Sequence, residues 1–434
     1  MSFQNKGDLM APAVRTDDNG KNIENKPANR NLVLLGTLIV TITTGALLAF
    51  SVFARPLSEL HGWPVADVMV AYGLTTVLVP VVMILSGRLL DGGRARSLML
   101  WGSVAFGLGH IIAGTTSSLP VLILGYGIIT GTGQGLIYSA SMTNSIRFFP
   151  EKRGLVAGLI AAGMGMGSMI ISPLSAVLTS SLGISRALTI LGVAFIVIDV
   201  SVTLFLVRSC PVVDAPAPRE AGATPEDTKS APVNLTWREM IRTSRFWAIL
   251  VLFICGAFFG LMILPNLVLI GEGMFGLSIA AAALYVSLFA ACSAVGRIAW
   301  GWLSDRWGVI NSLTVVFVLA ASGFTLFAFS SGAWVLAVCV VMLAVAYGGI
   351  MSLFAPLTVE NYGPRHNGMN YGIVYVAFSI GGIIAPRLGA SIATVHGGDF
   401  SRAFLIAIGV SLLGLAFTFL YRTLPEPGRK ISRA

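Results

Sequence analysis

The residue with the widest chemical reach in this chain is an arginine standing in an apolar run. Arg297 lies in SLFAACSAVGRIAWGWLSD, eight residues before Asp305, and in a helix that spacing puts it roughly 12 Å along the axis from the carboxylate. A guanidinium at such depth costs at least about 2.5–3.5 kcal/mol unless it faces protein or water and meets an anion. Two readings are open. The side chain snorkels to the interface, or its planar fork of donors anchors a carboxylate substrate. Ser293, Ala294 and Gly301, one helical turn away, are small and leave space beside it. Elsewhere Gln134, Tyr138, Ser141 and Ser145 recur at steps of four, three and four, a polar stripe on an otherwise apolar helix, as expected for a water-filled path. Tyr347, Met351 and Phe354 share one helical face and Tyr371, Tyr375 and Phe378 another. Such aromatic faces either pack or enclose a ligand, and the hydroxyls of Tyr138, Tyr347 and Tyr375 can donate to an anion.

A second constellation is a repeat. GRLLD at 87–91 returns as GWLSD at 301–305, 214 residues later, each at the end of a long apolar run. Gly87 and Gly301 allow a neighbouring helix to come close, and Asp91 and Asp305, one turn on, can cap a helix N-terminus or pair with an arginine across an interface. With Arg94 and Arg306 beside them, these residues are the candidates for conformational gating. An internal repeat of hydrophobic segments at this spacing implies two halves that face each other across a central site.

The elements that must position these residues follow from composition. Of 434 residues, 55% are hydrophobic and 11% charged, a balance that belongs in a bilayer. Stretches long enough to cross it occur at about 31–54, 67–90, 97–115, 119–146, 154–180, 187–208, 246–270, 278–303, 309–329, 333–358, 370–395 and 402–421. The expected fold is all-α and integral to the membrane, twelve transmembrane helices in two six-helix bundles. The divisions expected are a polar tail at 1–30, a first bundle at 31–208, a flexible linker with a short interfacial helix at 209–245, a second bundle at 246–422 and a tail at 423–434. The net charge of +9 comes from bases recurring at alternate helix ends, which sets topology and argues against nucleic acid. Both termini are expected to be cytosolic and the chain to cross the cell membrane many times.

On these phrases the chain resembles the major facilitator superfamily, whose loop between helices two and three, echoed between eight and nine, carries a glycine, an aspartate four later and then bases. GWLSDRWG is similar throughout; GRLLDGGRAR departs from the pattern at Gly92, Arg94 and Ala95. RFFPEKRGLVAGLIAAGMGMG at 147–167, EMIRTSRFW before helix seven, and NYG at 361–363 and 370–372 are similar to the oxalate/formate antiporter family, cousins of the monocarboxylate transporters, over nearly the whole chain from about residue 31. The resemblance implies that Arg297 binds the substrate carboxylate and that Tyr138, Tyr347 and Tyr375 line the pocket. It also sets limits. Phe378 stands where the oxalate antiporters hold a second cation, a lysine, so one fixed charge remains and a monoanion fits better than a dianion. Ser293 stands where animal-type monocarboxylate transporters place a proton-taking aspartate, so protons travel by another route or the cycle is an anion exchange. Leu47 and Leu48 replace a glutamine and a tyrosine, which makes the pocket less polar.

Other groups have bland readings. Asp199 and His110 could relay protons but fall in helices that usually lie peripherally in this fold, and Arg387 sits near a helix end where snorkelling or a gate contact suffices. GMGMGS at 163–168 follows no strand, so helix packing explains its glycines better than a nucleotide does. No Walker phosphate loop, no Ser-His-Asp set and no metal-ligand spacing occurs, and Cys210, Cys255, Cys292 and Cys339 are scattered singly. The expectation is a cofactor-free, non-enzymatic secondary transporter of small monocarboxylates (lactate, pyruvate or formate type), working as a monomer in the lipid bilayer and coupled to protons or to counter-anions. An oxalate/formate-type exchanger and, from another class, a membrane sensor that binds without carrying are the rivals.

Overall fold

A peptide group without a partner in hydrocarbon is costly, so apolar runs of this length must close their hydrogen bonds within themselves. The computed structural model, which describes residues 29–211, 234–330 and 332–427 and the isolated pairs 15–16 and 22–23, shows them doing so as helices. Twelve are long and apolar enough to span: α1 Arg30–Ala49, α2 Val65–Asp91, α3 Ala95–Thr115, α4 Leu119–Phe148, α5 Arg153–Leu182, α6 Ile184–Phe205, α7 Ser244–Phe275, α8 Ala281–Trp307, α9 Val309–Phe329, α10 Trp334–Tyr362, α11 Asn367–Val395 and α12 Ser401–Thr423. Most of the tails expected at 1–30 and 423–434, and of the linker at 209–245, lies outside the described residues. The described end of the linker forms one turn, Trp237–Met240, started by reciprocal bonds between Thr236 and Glu239. Those bonds hold the Glu239 carboxyl below its ordinary range. Leu235 ties the turn down, its N–H donating to the Tyr362 carbonyl and its own carbonyl accepting from Asn370.

Within the first six helices, α3 packs on α4 and α6, α2 on α4, and α5 on α1; within the second six, α9 packs on α10 and α12, α8 on α10, and α7 on α11 and α12. The two sets meet along α2 with α11, along α5 with α8, and where α10 lies against α5. Advancing each helix by six exchanges the first two contacts, so the repeat in the sequence is a repeat in the packing. Leu85, Leu284 and Val295 are 65 to 74% exposed on the outer faces, where lipid covers what water would not tolerate.

Two helices are interrupted at corresponding places. The sequence expects one continuous first helix; instead α1 is α-helical only to Thr43, tightens to a 3-10 winding over Thr44–Ala49 and resumes as Phe50–His61. The cause is local. The hydroxyls of Thr41, Thr43 and Thr44 each bond a carbonyl three residues back, which favours the tighter winding just before Gly45. In α7 the interruption is Leu264–Asn266, where Pro265 removes a donor.

Candidate functional site

One end of the bundle is tied shut by the two repeated loops. Asp91 ends α2, and its carboxylate accepts from the backbone N–H groups of Gly368 and Met369 at 2.7 and 3.2 Å, capping the start of α11 in the other half. Asp305, near the end of α8, does the same for α5, accepting from Gly154 and Leu155 at 2.7 and 2.9 Å. Each negative charge thus sits on the positive end of a helix dipole across the divide. Gly154 and Gly158 on α5 and Gly301 on α8 let these backbones touch, since a Cβ at Gly158 would run into the carbonyl of Arg297 and one at Gly301 into that of Gly154. On the other side Gly368 and Gly372 play the same part against α2, and a Cβ at Gly87 would lie 2.6 Å from the Met369 Cα. GLVAG at 154–158 and GMNYG at 368–372 are therefore a second internal repeat, partner to the first.

The loop arginines do not close these contacts. Arg94 is exposed, and Arg306 lies over the Trp302 ring at 3.9 Å rather than beside Asp305. The base that meets Asp91 is Arg147, at the end of α4, at 3.0 Å. Its guanidinium also donates to the carbonyls of Leu90, Pro364 and Arg365, so one side chain stitches α2 to the loop before α11. Arg94 falls outside this network because Gly93, at φ 78°, turns the chain away from the Asp91 carboxylate before α3 begins.

Above this closed end lies Arg297, 6% exposed. Its Nη1 donates to the Ala161 carbonyl of α5, and its Nε–H has no acceptor among the described residues. Gly165 makes room for it: a Cβ there would lie 2.6 Å from Nη1. None of the three ion pairs among the described residues involves this arginine. Around it stand Tyr138, Tyr347 and Tyr375, all within its electrostatic reach. The snorkelling reading fails on this geometry, because the guanidinium turns into the interface of the halves and not to the membrane surface.

The other expected residues are distributed unevenly. Tyr375 packs with Tyr138 at 5.6 Å between ring centres, with Tyr371 at 5.7 Å and with Phe378 at 5.3 Å. Ser293, one turn from Arg297, is buried with its hydroxyl unpartnered. Gln134 donates to the Met164 sulfur and leaves its Oε1 unpartnered, as do the hydroxyls of Ser141 and Ser145 farther along the same stripe. Met351 is buried in the core. Leu47 is buried and Leu48 exposed. His110 is enclosed by Phe106, Tyr126 and Phe195, and Arg387 is exposed near the far end of α11.

Residue spacing did not single out three contributors. Arg147 reads as one more base at a helix end. Phe253 on α7 stacks on Phe354 at 4.0 Å and meets both Tyr375 and Phe378 at 5.9 Å, but in a helix rich in phenylalanine it carries no signal. Tyr72 on α2, in electrostatic contact with Tyr347, could have been found by listing tyrosines inside spans.

A buried arginine with three tyrosines in its electrostatic reach, between two helical halves latched at one end, can offer hydrogen-bond donors to a small anion. The sequence profile of the Major Facilitator Superfamily matches residues 32–285 and 262–434. The chain belongs to that superfamily. It is a multi-pass membrane protein and a secondary transporter, not an enzyme. The oxalate:formate antiporter of Oxalobacter formigenes is 28% identical over 410 residues, 92% of this chain and 93% of that one. Monocarboxylate transporter 11 of Mus musculus is 28% identical over 344 residues, 76% of this chain and 73% of its own. Among solved structures, the superfamily transporter FucP in its outward conformation aligns with a TM-score of 0.70 at 15% identity, over 90% of this chain and 98% of that one, a likeness of fold.

Proposed function

We propose that this transporter carries small monocarboxylates of the lactate, pyruvate or formate type by alternating access, with Arg297 as the carboxylate anchor. The observation that carries the reading is the guanidinium itself: buried, held at one nitrogen by a backbone carbonyl, with a free Nε–H and no acidic partner among the described residues. A lone positive charge in a low-dielectric site is costly, and a carboxylate accepting from its fork offsets that cost. Tyr138, Tyr347 and Tyr375 supply hydroxyl donors, while Phe378, Phe253, Phe354 and Met351 give the organic end an apolar wall. One cation neutralises one anionic charge, so a monoanion leaves no residue of charge behind. The names of the relatives, an oxalate:formate antiporter and a monocarboxylate transporter, agree with this substrate class.

The halves at 31–208 and 246–422 rock about this site. Counting bases at helix ends puts the Asp91 and Asp305 end, and both termini, in the cytosol, so the latched conformation is closed on the cytosolic side. Gly87, Asp91, Gly301 and Asp305 hold that state with Arg147, while Arg94 and Arg306 contribute to orientation.

Counterflow in proteoliposomes with a panel of one- and two-carboxylate acids tests the reading. Monocarboxylates are expected to exchange and Arg297→Ala to abolish exchange without loss of folded protein; normal affinity in that variant removes the anchor role. Exchange between oxalate and formate at comparable rates favours the second reading, an exchanger like the first relative.

A further inference from the structure

Away from the central site, Asp199 in α6 is the one carboxylic side chain among the described residues that is fully buried, at 0% exposure. Its Oδ1 lies 2.7 Å from the Thr43 hydroxyl, and that hydroxyl lies 2.6 Å from the carbonyl oxygen of Val40. A threonine hydroxyl carries one hydrogen. With Asp199 ionised, that hydrogen fills one gap and leaves the other as a bare contact between two oxygens. With Asp199 protonated, the acid donates to Thr43, Thr43 donates to Val40, and both gaps hold a hydrogen.

Among the described residues no opposite charge compensates an ionised form. The titratable or charged groups on the elements packed against α6 are Arg30 on α1, Arg55, Glu59 and His61 on the segment after it, Arg96 and His110 on α3, and Arg153 on α5; α6 itself adds Arg186. Arg30 pairs with Glu151 and Arg55 with Glu59. Arg96 donates to the carbonyls of Thr203 and Leu204, His110 bonds the Phe106 carbonyl, and Arg153 acts on Glu360. His61 stacks on Trp63. The only hydrogen-bond partner of the Asp199 carboxyl among the described residues is Thr43.

The position of this pair connects it to the anion site. Thr43 is the last α-helical residue before the break in α1. Within the break Gly45 touches the backbone of Met164 and Gly167 on α5, and Thr41, just before it, lies against Gly163. The same stretch of α5 presents Ala161 and Gly165 to Arg297. One turn from Asp199 toward the latched end, Thr203 has a buried hydroxyl without a partner, as does Asp199 Oδ2.

We propose that Asp199 is a proton-binding site of the transport cycle, set in the N-terminal half off the central axis and linked to the anion site through the break in α1. In the latched conformation the carboxylate takes up one proton, whose hydrogen bond Thr43 accepts. When movement at the break in α1 draws Thr43 away from Asp199 that acceptor is withdrawn, the acid ionises, and the proton leaves to water by way of Thr203. One proton crossing with one monoanion moves no net charge. The coupling rests on the monocarboxylate reading above; the proton site itself does not.

The test uses the full-length protein in lipid and two readouts. Infrared titration over about pH 5 to 9 is expected to show the C=O stretch of a protonated carboxylic acid that disappears as pH rises, is missing in Asp199→Asn and is displaced in Thr43→Val. In proteoliposomes the wild type is expected to accumulate a monocarboxylate under an inward proton gradient and to acidify a trapped dye. Asp199→Asn, which keeps the shape and the hydrogen bond, is expected to lose accumulation and acidification while retaining anion exchange at all pH values. The wild-type band persisting in Asp199→Asn, or gradient-driven accumulation intact in that variant, overturns the proposal. A wild type that shows the titrating band but moves no carboxylate retains the proton site and sinks the substrate reading instead.

Discussion

Asp305 and Gly154 belong to opposite halves and are joined by a 2.7 Å hydrogen bond from the glycine N–H to the carboxylate. Leu155 adds a second at 2.9 Å, so the acid covers two of the unpaired donors at the head of α5. Asp91 repeats the relation at the head of α11, but there Arg147 shares the carboxylate and the pair is largely shielded. Asp305 is exposed and pairs with no arginine among the described residues. The two clasps are thus alike in their backbone hydrogen bonds and unlike in charge partner and exposure.

Asp305→Asn keeps an acceptor for one N–H and removes the charge at the helix end, a loss of about 0.3–1 kcal/mol at an exposed site. That changes the ratio of latched to unlatched molecules by up to about fivefold. Electron–electron resonance between spin labels at the ends of α5 and α8 is expected to show a second, longer distance in the variant; an unchanged distribution shows that the clasp does not hold the state. Asp91→Asn is expected to do more, because Arg147 is left buried without its anion.

Two glycines of α5 face Arg297 and answer substitution differently. At Gly165 the added methyl meets the far end of the guanidinium, which can swing aside, so Gly165→Ala is expected to fold normally and to weaken carboxylate affinity by about tenfold. At Gly158 the methyl meets the Arg297 main-chain carbonyl, which cannot move without α8, so Gly158→Ala is expected to unlatch the halves at a cost of about 1–3 kcal/mol. Affinity from isothermal titration, set beside the label distances, separates the two. The same phenotype from both substitutions contradicts the assignment.

What could be seen in the sequence was whatever broke a pattern. Arg297 interrupts an apolar run and the GRLLD and GWLSD phrases interrupt the sequence twice at matching places, so the buried guanidinium and the two clasps were both visible. Arg147 was hidden because a base at that helix end is what topology alone requires. The break in α1 was hidden too: its 3-10 winding comes from threonine hydroxyls bonding backward, and hydrophobicity is the same on either side of it. The pairing of Gly154 and Gly158 with Gly368 and Gly372 could have been read, but glycine is so frequent in this chain, 49 residues, that the match has no contrast.

Phe378 sits in the aromatic wall, 5.3 Å from the Tyr375 ring and 5.9 Å from Phe253. On the carboxylate-anchor proposal, a lysine there adds a second cation beside the anion, which the neighbouring ring faces can tolerate. Phe378→Lys is expected to shift the ratio of dicarboxylate to monocarboxylate affinity by at least about tenfold toward the dianion. Competition of oxalate against a labelled monocarboxylate measures it, and an unaltered ratio means that Phe378 does not face the substrate.

Cys210 offers a native reporter of the closed end. Its N–H donates to Asn144 Oδ1 at 2.8 Å, and its thiol lies within electrostatic reach of Arg147. Burial pushes the thiol up to about 11, against a smaller opposite pull from the Arg147 charge. The thiolate attacks the maleimide, and a raised value leaves less thiolate at any given pH, so wild-type labelling is expected to be slow near neutrality and to climb as pH rises. Asp91→Asn weakens the cap on α11 and leaves Arg147 without its anion, which admits water to the cysteine and lowers the desolvation that protects it. Labelling followed by peptide mass spectrometry is expected to run several-fold faster in that variant at neutral pH. If Cys210 in the wild type reacts as quickly as an exposed thiol, the end marked by Asp91 is not closed, and the latch is not what keeps water from this side of the bundle.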